Sequence, residues 1–265
     1  MAKTKSDLPV GYSIGSHSIY KMKGCSHLVV RAKGGPSKKM LKKSPVFEGV
    51  RKHNKEFGAS SLASGYIQRA IYAVKHLADH NISGQLMGMA KIIQNMDINN
   101  EHGKRSILFS AHPHILDGFG FNNDHPFDSV IKSPPAYTIS RDNLMAKIVL
   151  PDLIPGVNFT PIPKAALYRI ILCFGVIPDV VRGQYQYEPA SSAMGFFPNQ
   201  VQTGWASTAI MRKREELIIQ LSELSNFDDT GSLILSIGIE FATRMTAEII
   251  KPMKNMGCGK ILAHV

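Results

Sequence analysis

The chain is 265 residues long, 44% apolar and 19% charged, with a formal net charge of +11. At about 150 residues per domain, this length predicts one large domain or two small ones, and the apolar fraction excludes wholesale disorder. No stretch approaches the roughly 18 uninterrupted apolar residues of a membrane span. The first ten residues lack the apolar centre of a secretory signal. Cys25, Cys173 and Cys258 are far apart and form no C-x-x-C pair, so neither a disulfide framework nor a thiolate zinc site is expected. A cytoplasmic protein without a membrane partner is therefore expected.

In chain order, Ser16 to Ala32 predicts a β-hairpin, two runs of β-branched and aromatic residues separated by Gly24-Cys25-Ser26. Ser44 stands as an N-cap before Pro45, and Phe47, Val50 and Phe57 recur on a face that suits a short helix. Ala59 to His80 is the clearest helix, with Leu62, Tyr66, Ile67, Ala70, Ile71, Val74, Leu77 and Ala78 tracing a stripe of helical period. A second helix follows Asn81-Ile82-Ser83, carried by Leu86, Met89, Ala90, Ile93 and Met96, and the two read as a helical hairpin. Gly103 to Leu116 predicts a third helix, limited by Pro113, and Asp117 to Asp128 has the composition of a loop.

From about Phe127 the period changes to that of strands. AYTIS and LMAKIVL flank Arg141-Asp142-Asn143 as a second hairpin. Ala165 to Ile177 and Val180 to Tyr187 are strand-like runs broken by Pro178-Asp179, and Ser232 to Ala242 alternates so that one face is apolar from Leu233 to Phe241. Its low charge suits a central strand, and exposed it would form an edge able to pair with another subunit. Glu215 to Ser225 fits helix or strand, and context favours strand. Gly259 to Val265 closes the sheet. The expected fold is α+β, with a basic N-terminal arm bearing the hairpin (1–58), a helical segment and loop (59–126) and an antiparallel β-sandwich of five to eight strands (127–265).

The charge is unevenly placed. Residues 1–56 hold thirteen Lys or Arg against Asp7, Glu48 and Glu56, a balance of +10, while the remaining 209 hold eighteen bases and seventeen acids, a balance of +1. A basic arm beside a near-neutral body suits a polyanion, because neutralising phosphate releases counterions and gives sequence-independent affinity. The candidate contact residues are Lys21, Lys23, Arg31, Lys33, Lys38, Lys39, Lys42, Lys43, Arg51 and Lys52. A merely solvated arm is the competing account.

Other constellations are weaker. His112, His114, Asp117, Asp124, His125 and Asp128 could together hold a divalent ion for hydrolysis, but no spacing fixes a geometry, and Phe119, Phe121 and Phe127 look like plugs into the core. His76 and His80 share a helix face at i, i+4 without a third ligand. No phosphate-binding loop, dinucleotide fingerprint or nucleophile elbow is present, so no cofactor, metal or catalytic residue is predicted.

The stretches Tyr20 to Gly24, Val30 to Lys38, Ser44 to Phe47, Asn54 to Gly58 and Leu116 to Asn122, with the C-terminal LILSIGIEF, resemble a family of uncharacterised proteins common in Bacteroidota. That resemblance covers most of the chain. It implies the order of basic arm, helical pair and β-rich end, and it transfers no catalytic residue. The expected function is non-enzymatic binding or assembly, the arm meeting nucleic acid or another polyanion. The alternatives are a structural subunit of a homo-oligomeric, filamentous or virion-like assembly, and a metal-dependent hydrolase centred on His112 to Asp128.

Overall fold

The computed structural model describes residues 2–4, 11, 13–21, 27–190, 197–221, 230–246, 249–254 and 256–265. It divides into two compact units, 1–51 and 52–265. The first holds a four-stranded antiparallel sheet of β1 (Ala2–Thr4), β2 (Ser13–Ile14), β3 (His17–Lys21) and β4 (Leu28–Ala32), in the order β1-β4-β3-β2. β3 and β4 are the expected hairpin, with Tyr20 opposite Val29; the turn assigned to Gly24-Cys25-Ser26 lies outside the described residues.

Helix α1 (Lys38–Lys43) follows, capped by Ser37, whose Oγ accepts the Met40 N–H at 3.2 Å. Ser44 is the N-cap residue of the following 3₁₀ turn, as expected, with Pro45 at its first position. Its side chain makes no cap bond, and its N–H instead closes α1 by donating to the Met40 carbonyl at 2.9 Å. A 3₁₀ turn at Pro45–Phe47 leads into α2 (Glu48–Ala70). This one 23-residue helix replaces the separate short helix and passes through the boundary drawn at residue 58. Gly58 does not break it, because Ala59, Ser60 and Ala63 beyond it are buried and tie the helix to its neighbours.

In the second unit α2 ends at Ala70, followed by the single turn α3 (Tyr72–Lys75) and by α4 (Ser83–Met96). Ala59, Ala63, Ile67 and Ala70 of α2 and Leu86, Ala90 and Ile93 of α4 share one apolar cluster, so the helical hairpin forms as expected. The third helix does not. Residues 103–116 are turns, entered through Gly103 at φ 93° and held by an Ile107–Val180 bridge and by the Ser110 N–H donating to Asp179 Oδ1 at 2.9 Å. Their backbone groups find partners elsewhere, which removes the need for a helix.

The rest is α5 (Phe127–Val130), β5 (Ala136–Ser140), β6 (Met145–Leu150), β7 (Leu167–Pro178), β8 (Val180–Arg182), β9 (Tyr187–Pro189), β10 (Asn199–Gln202), β11 (Ala206–Ser207), β12 (Glu215–Gln220), β13 (Gly231–Arg244), β14 (Ile250–Pro252) and β15 (Cys258–His264). Strand count exceeds the five to eight expected, because short strands such as β8, β9, β11 and β14 carry no alternation long enough to detect. Of the segment Glu215 to Ser225, expected as strand, Glu215–Gln220 is a strand, and residues 222–225 lie outside the described residues.

All strand pairing is antiparallel among the described residues. β10, β7, β13 and β14 form a six-stranded sheet with β11 on β7 and β15 on β13; β12, β6 and β5 form a three-stranded one. β13 is central, paired with β7 over its length and with β14 and β15 on its other side. Its odd positions, Leu233 to Phe241, line a cluster with Ile148, Leu150 and Ile219 of the smaller sheet. The expected single apolar face is thus half of the arrangement. Its even positions are buried as well, with Ile234 joining the helical cluster. At Gly238 a Cβ would lie 2.3 Å from Leu77 Cδ1, so that face uses glycine and serine to let the chain after α3 approach. The chain is therefore mixed α+β, with helices on one face of the large sheet and the small sheet on the other.

Candidate polyanion-binding face and the charged sites of the body

The lysines of α1 follow from a six-residue sequence, KKMLKK, whose i, i+4 spacing places Lys38 above Lys42 and Lys39 above Lys43. All four are exposed. None has an acid within ion-pair distance among the described residues, although the arm's acid Glu48 lies only five residues on. Like charges at this spacing disfavour the helix, and the Ser37 cap with the basic last turn offsets this.

The other candidates are dispersed. Lys21 and Arg31 are exposed on β3 and β4, and Lys33 Nζ donates to the Gly15 carbonyl at 3.1 Å. Arg51 Nη1 donates to the carbonyls of Leu41 and Ser44 at 2.9 and 2.8 Å, so this guanidinium closes the end of α1. Lys52 is half-buried, and its side chain lies where a Cβ on Gly103 would fall. Lys23 lies outside the described residues.

The loop 112–128 uses its acids structurally. Asp117 Oδ1 accepts the His264 N–H at 2.6 Å while its Oδ2 meets His114 Nδ1 at 2.8 Å, and Asp128 pairs with Lys260 at 2.5 Å. Phe121 and Phe127 are buried. No three of His, Cys, Asp and Glu converge on a metal position among the described residues. His76 and His80 do not share a helix face, because α3 stops at Lys75. His80 lies between Asp79 and Gln85, at 2.5 and 2.9 Å, and His76 Nε2 lies 3.4 Å from Glu240.

Three buried titratable sites have no local signal in the sequence. Glu56, fully buried on α2, accepts from Lys91 Nζ at 2.5 Å, from Arg105 Nε and Nη2 at 2.7 and 2.6 Å, and from the Gly103 N–H at 2.8 Å. Burial opposes its charge, and the bonds from Arg105, Lys91 and Gly103 overcome this, holding the carboxyl at about 2. Glu240 of β13 takes Arg169 Nε at 2.6 Å, and that guanidinium lies 4.7 Å from the ring centre of Trp205. His264 is buried with neither ring nitrogen hydrogen-bonded, its edge against Phe109.

Two open grooves adjoin these networks. One, about 500 Å³, is lined by Trp205, Met211, Lys213 and Arg214. The other, about 450 Å³, runs between α2 and the β8–β9 hairpin, with Lys55, Arg182 and Tyr185 on its walls. Among the described residues the arm and the grooves each offer cations without ion-pair partners, the chemistry of anion contact, and Tyr185 adds an exposed aromatic ring. Comparison with protein-family models, curated proteins and solved structures finds no match for the chain.

Proposed function

We propose that the protein is a non-enzymatic binding protein whose arm contacts nucleic acid or another polyanion. The observation that carries this reading is the exposed face of Lys38, Lys39, Lys42 and Lys43 on α1, four cations without acid partners among the described residues. The charge balance of +10 over residues 1–56 supports it. The two sheets that share one apolar cluster supply a β-sandwich scaffold in the body. A cytoplasmic setting is supported by Cys173 and Cys258, both free and buried; burial pushes the Cys173 thiol up to about 12, which makes it inert.

The test is binding of a labelled oligonucleotide across a salt series by the full chain and by the variant Lys38→Gln/Lys39→Gln/Lys42→Gln/Lys43→Gln. Each lost phosphate contact lowers the slope of log K against log salt by about 0.7 to 0.9, so the variant's slope falls by about 3. An unchanged slope overturns the reading.

A second reading, a homo-oligomer, is favoured by the apolar surface of the helical hairpin. Ile92 and Met96 stand one turn apart on α4, 51% and 46% exposed, and Phe57, Met87 and the bare Gly84 and Gly88 line a groove of about 290 Å³. Light scattering decides it: a multimer that Ile92→Glu/Met96→Glu dissociates supports this surface, and a wild-type monomer removes it.

A further inference from the structure

We propose that the groove between α2 and the β8–β9 hairpin is a stacking site for the unpaired bases of single-stranded nucleic acid. The inference rests on the polyanion reading of the arm and names the polyanion. Lys55, Gly58 and Leu62 come from α2, and Arg182, Tyr185 and Gln186 from the hairpin and its turn.

Tyr185 sits at the tip of that turn with 83% of its surface exposed, an aromatic ring that packs into no core. Arg182 lies over the ring of Tyr187 at 5.4 Å, which holds its guanidinium as a second flat surface. Neither Lys55 nor Arg182 has an ion-pair partner among the described residues, so both cations remain available to a phosphate backbone. Aromatic faces beside backbone-tracking cations are how proteins hold single strands without reading sequence. A duplex would leave Tyr185 idle, because its bases already stack on one another. An acidic peptide would use the cations and leave the rings unexplained.

Gly58 completes the groove. A glycine inside a helix weakens it, yet no atom lies within 4 Å of the position its Cβ would take, so packing does not require it. Its effect is an open floor beside Leu62, where a flat base can settle.

The experiment titrates the full-length protein with a fluorescein-labelled oligothymidylate of about ten nucleotides, within the site sizes of single-strand grooves, and in parallel with labelled heparin, a polyanion without bases. Tyr185→Ala weakens oligothymidylate binding about tenfold, the scale of one lost base–aromatic stack, and leaves heparin binding unchanged. Gly58→Leu does the same by filling the floor, and since leucine favours the helix its Tm does not fall. The four-lysine variant of α1 weakens both ligands. Groove variants that bind oligothymidylate like wild type overturn the inference, while the α1 variant still decides the polyanion reading. Equal weakening of both ligands by the groove variants also overturns it, because the groove is then only a further charge contact. Wild-type protein that binds neither ligand at low salt overturns both.

Discussion

One edge of the Arg105 guanidinium meets the buried carboxylate of Glu56, Nε 2.7 Å from Oε1 and Nη2 2.6 Å from Oε2, across 49 residues of chain. The pair pins the irregular segment after α4 to the middle of α2. Lys91 of α4 and the Gly103 N–H add further donors, so the carboxylate is neutralised from α4 and from the segment that follows it. Such an arrangement adds little over a well-packed apolar alternative, but breaking it strands a buried charge.

Glu56→Gln is therefore expected to lower stability by about 3 kcal/mol in urea unfolding, and Arg105→Met by a similar amount. The double variant should lose clearly less than the sum, because the two residues act through one contact. Strict additivity would show the contact to be incidental. The acid limb gives a second readout. The carboxyl sits at about 2 in the fold against an ordinary 4.5, so its contribution is present above 4.5 and is lost as pH falls toward 2. Glu56→Gln removes that dependence.

His264 governs a higher pH window. Burial pushes its imidazole down to about 4 from 6.5; nearby Asp117 pulls the other way and His114 reinforces the shift. The unfolded chain takes up the proton first, so the stabilising effect of the neutral ring is present above 6.5 and is lost as pH falls toward 4. His80 works in the opposite sense. Its hydrogen bonds to Gln85 and Asp79 raise it, so its contribution is present below 6.5 and fades only at higher pH, outside this window. Wild-type stability should decline between pH 6.5 and 4.5, and His264→Phe should flatten that decline. Parallel curves for the two proteins would count against the assignment.

These sites also show what sequence alone can convey. β7 is legible as a long run of apolar residues buried on both faces, and the odd positions of β13 because alternation over many residues reports one buried face directly. The second buried face of β13 is written in Ser232, Ser236 and Gly238, small residues that look like a solvent face until Leu77 is seen above Gly238. The segment 103–116 resembles a helix in sequence because its apolar spacing is set by Phe109 and Leu116, which reach the core from turns. In sequence Glu56 is one of the few acids in a basic arm, and its partners lie 35 to 49 residues away, where no spacing rule applies. The lysines of α1 were visible as charge, but six residues are too few to display a helical period.

Two glycines should respond in opposite directions to alanine. At Gly175 of β7 a Cβ would lie 2.8 Å from the Ala70 carbonyl oxygen and 3.0 Å from its Cα, backbone atoms at the end of α2 that cannot swing aside. Gly175→Ala should therefore cost about 1 to 3 kcal/mol through overpacking. At Gly58 the same methyl meets open space, so Gly58→Ala should stabilise by about 1 kcal/mol through helix propensity. Urea midpoints at unchanged m-value decide both signs, and a destabilised Gly58→Ala would mean that the groove floor is filled in solution.

Trp205 is the only tryptophan, so its emission reports on a single place. The Arg169 guanidinium over its ring is held by Glu240 Oε2, while His76 approaches Oε1 of the same carboxylate at 3.4 Å. Contact with His76, and then Arg169, keeps that carboxyl below its ordinary range against the opposing effect of burial, so it is charged at neutral pH. Glu240→Gln weakens the bond that orients the guanidinium, at a cost of about 2 kcal/mol, and should shift the Trp205 emission maximum while circular dichroism stays native. His76→Ala should leave emission unchanged, because the histidine touches the other oxygen and never reaches the ring. Identical spectra for wild type and Glu240→Gln would show that Arg169 keeps its place over Trp205 through the cation–π contact alone.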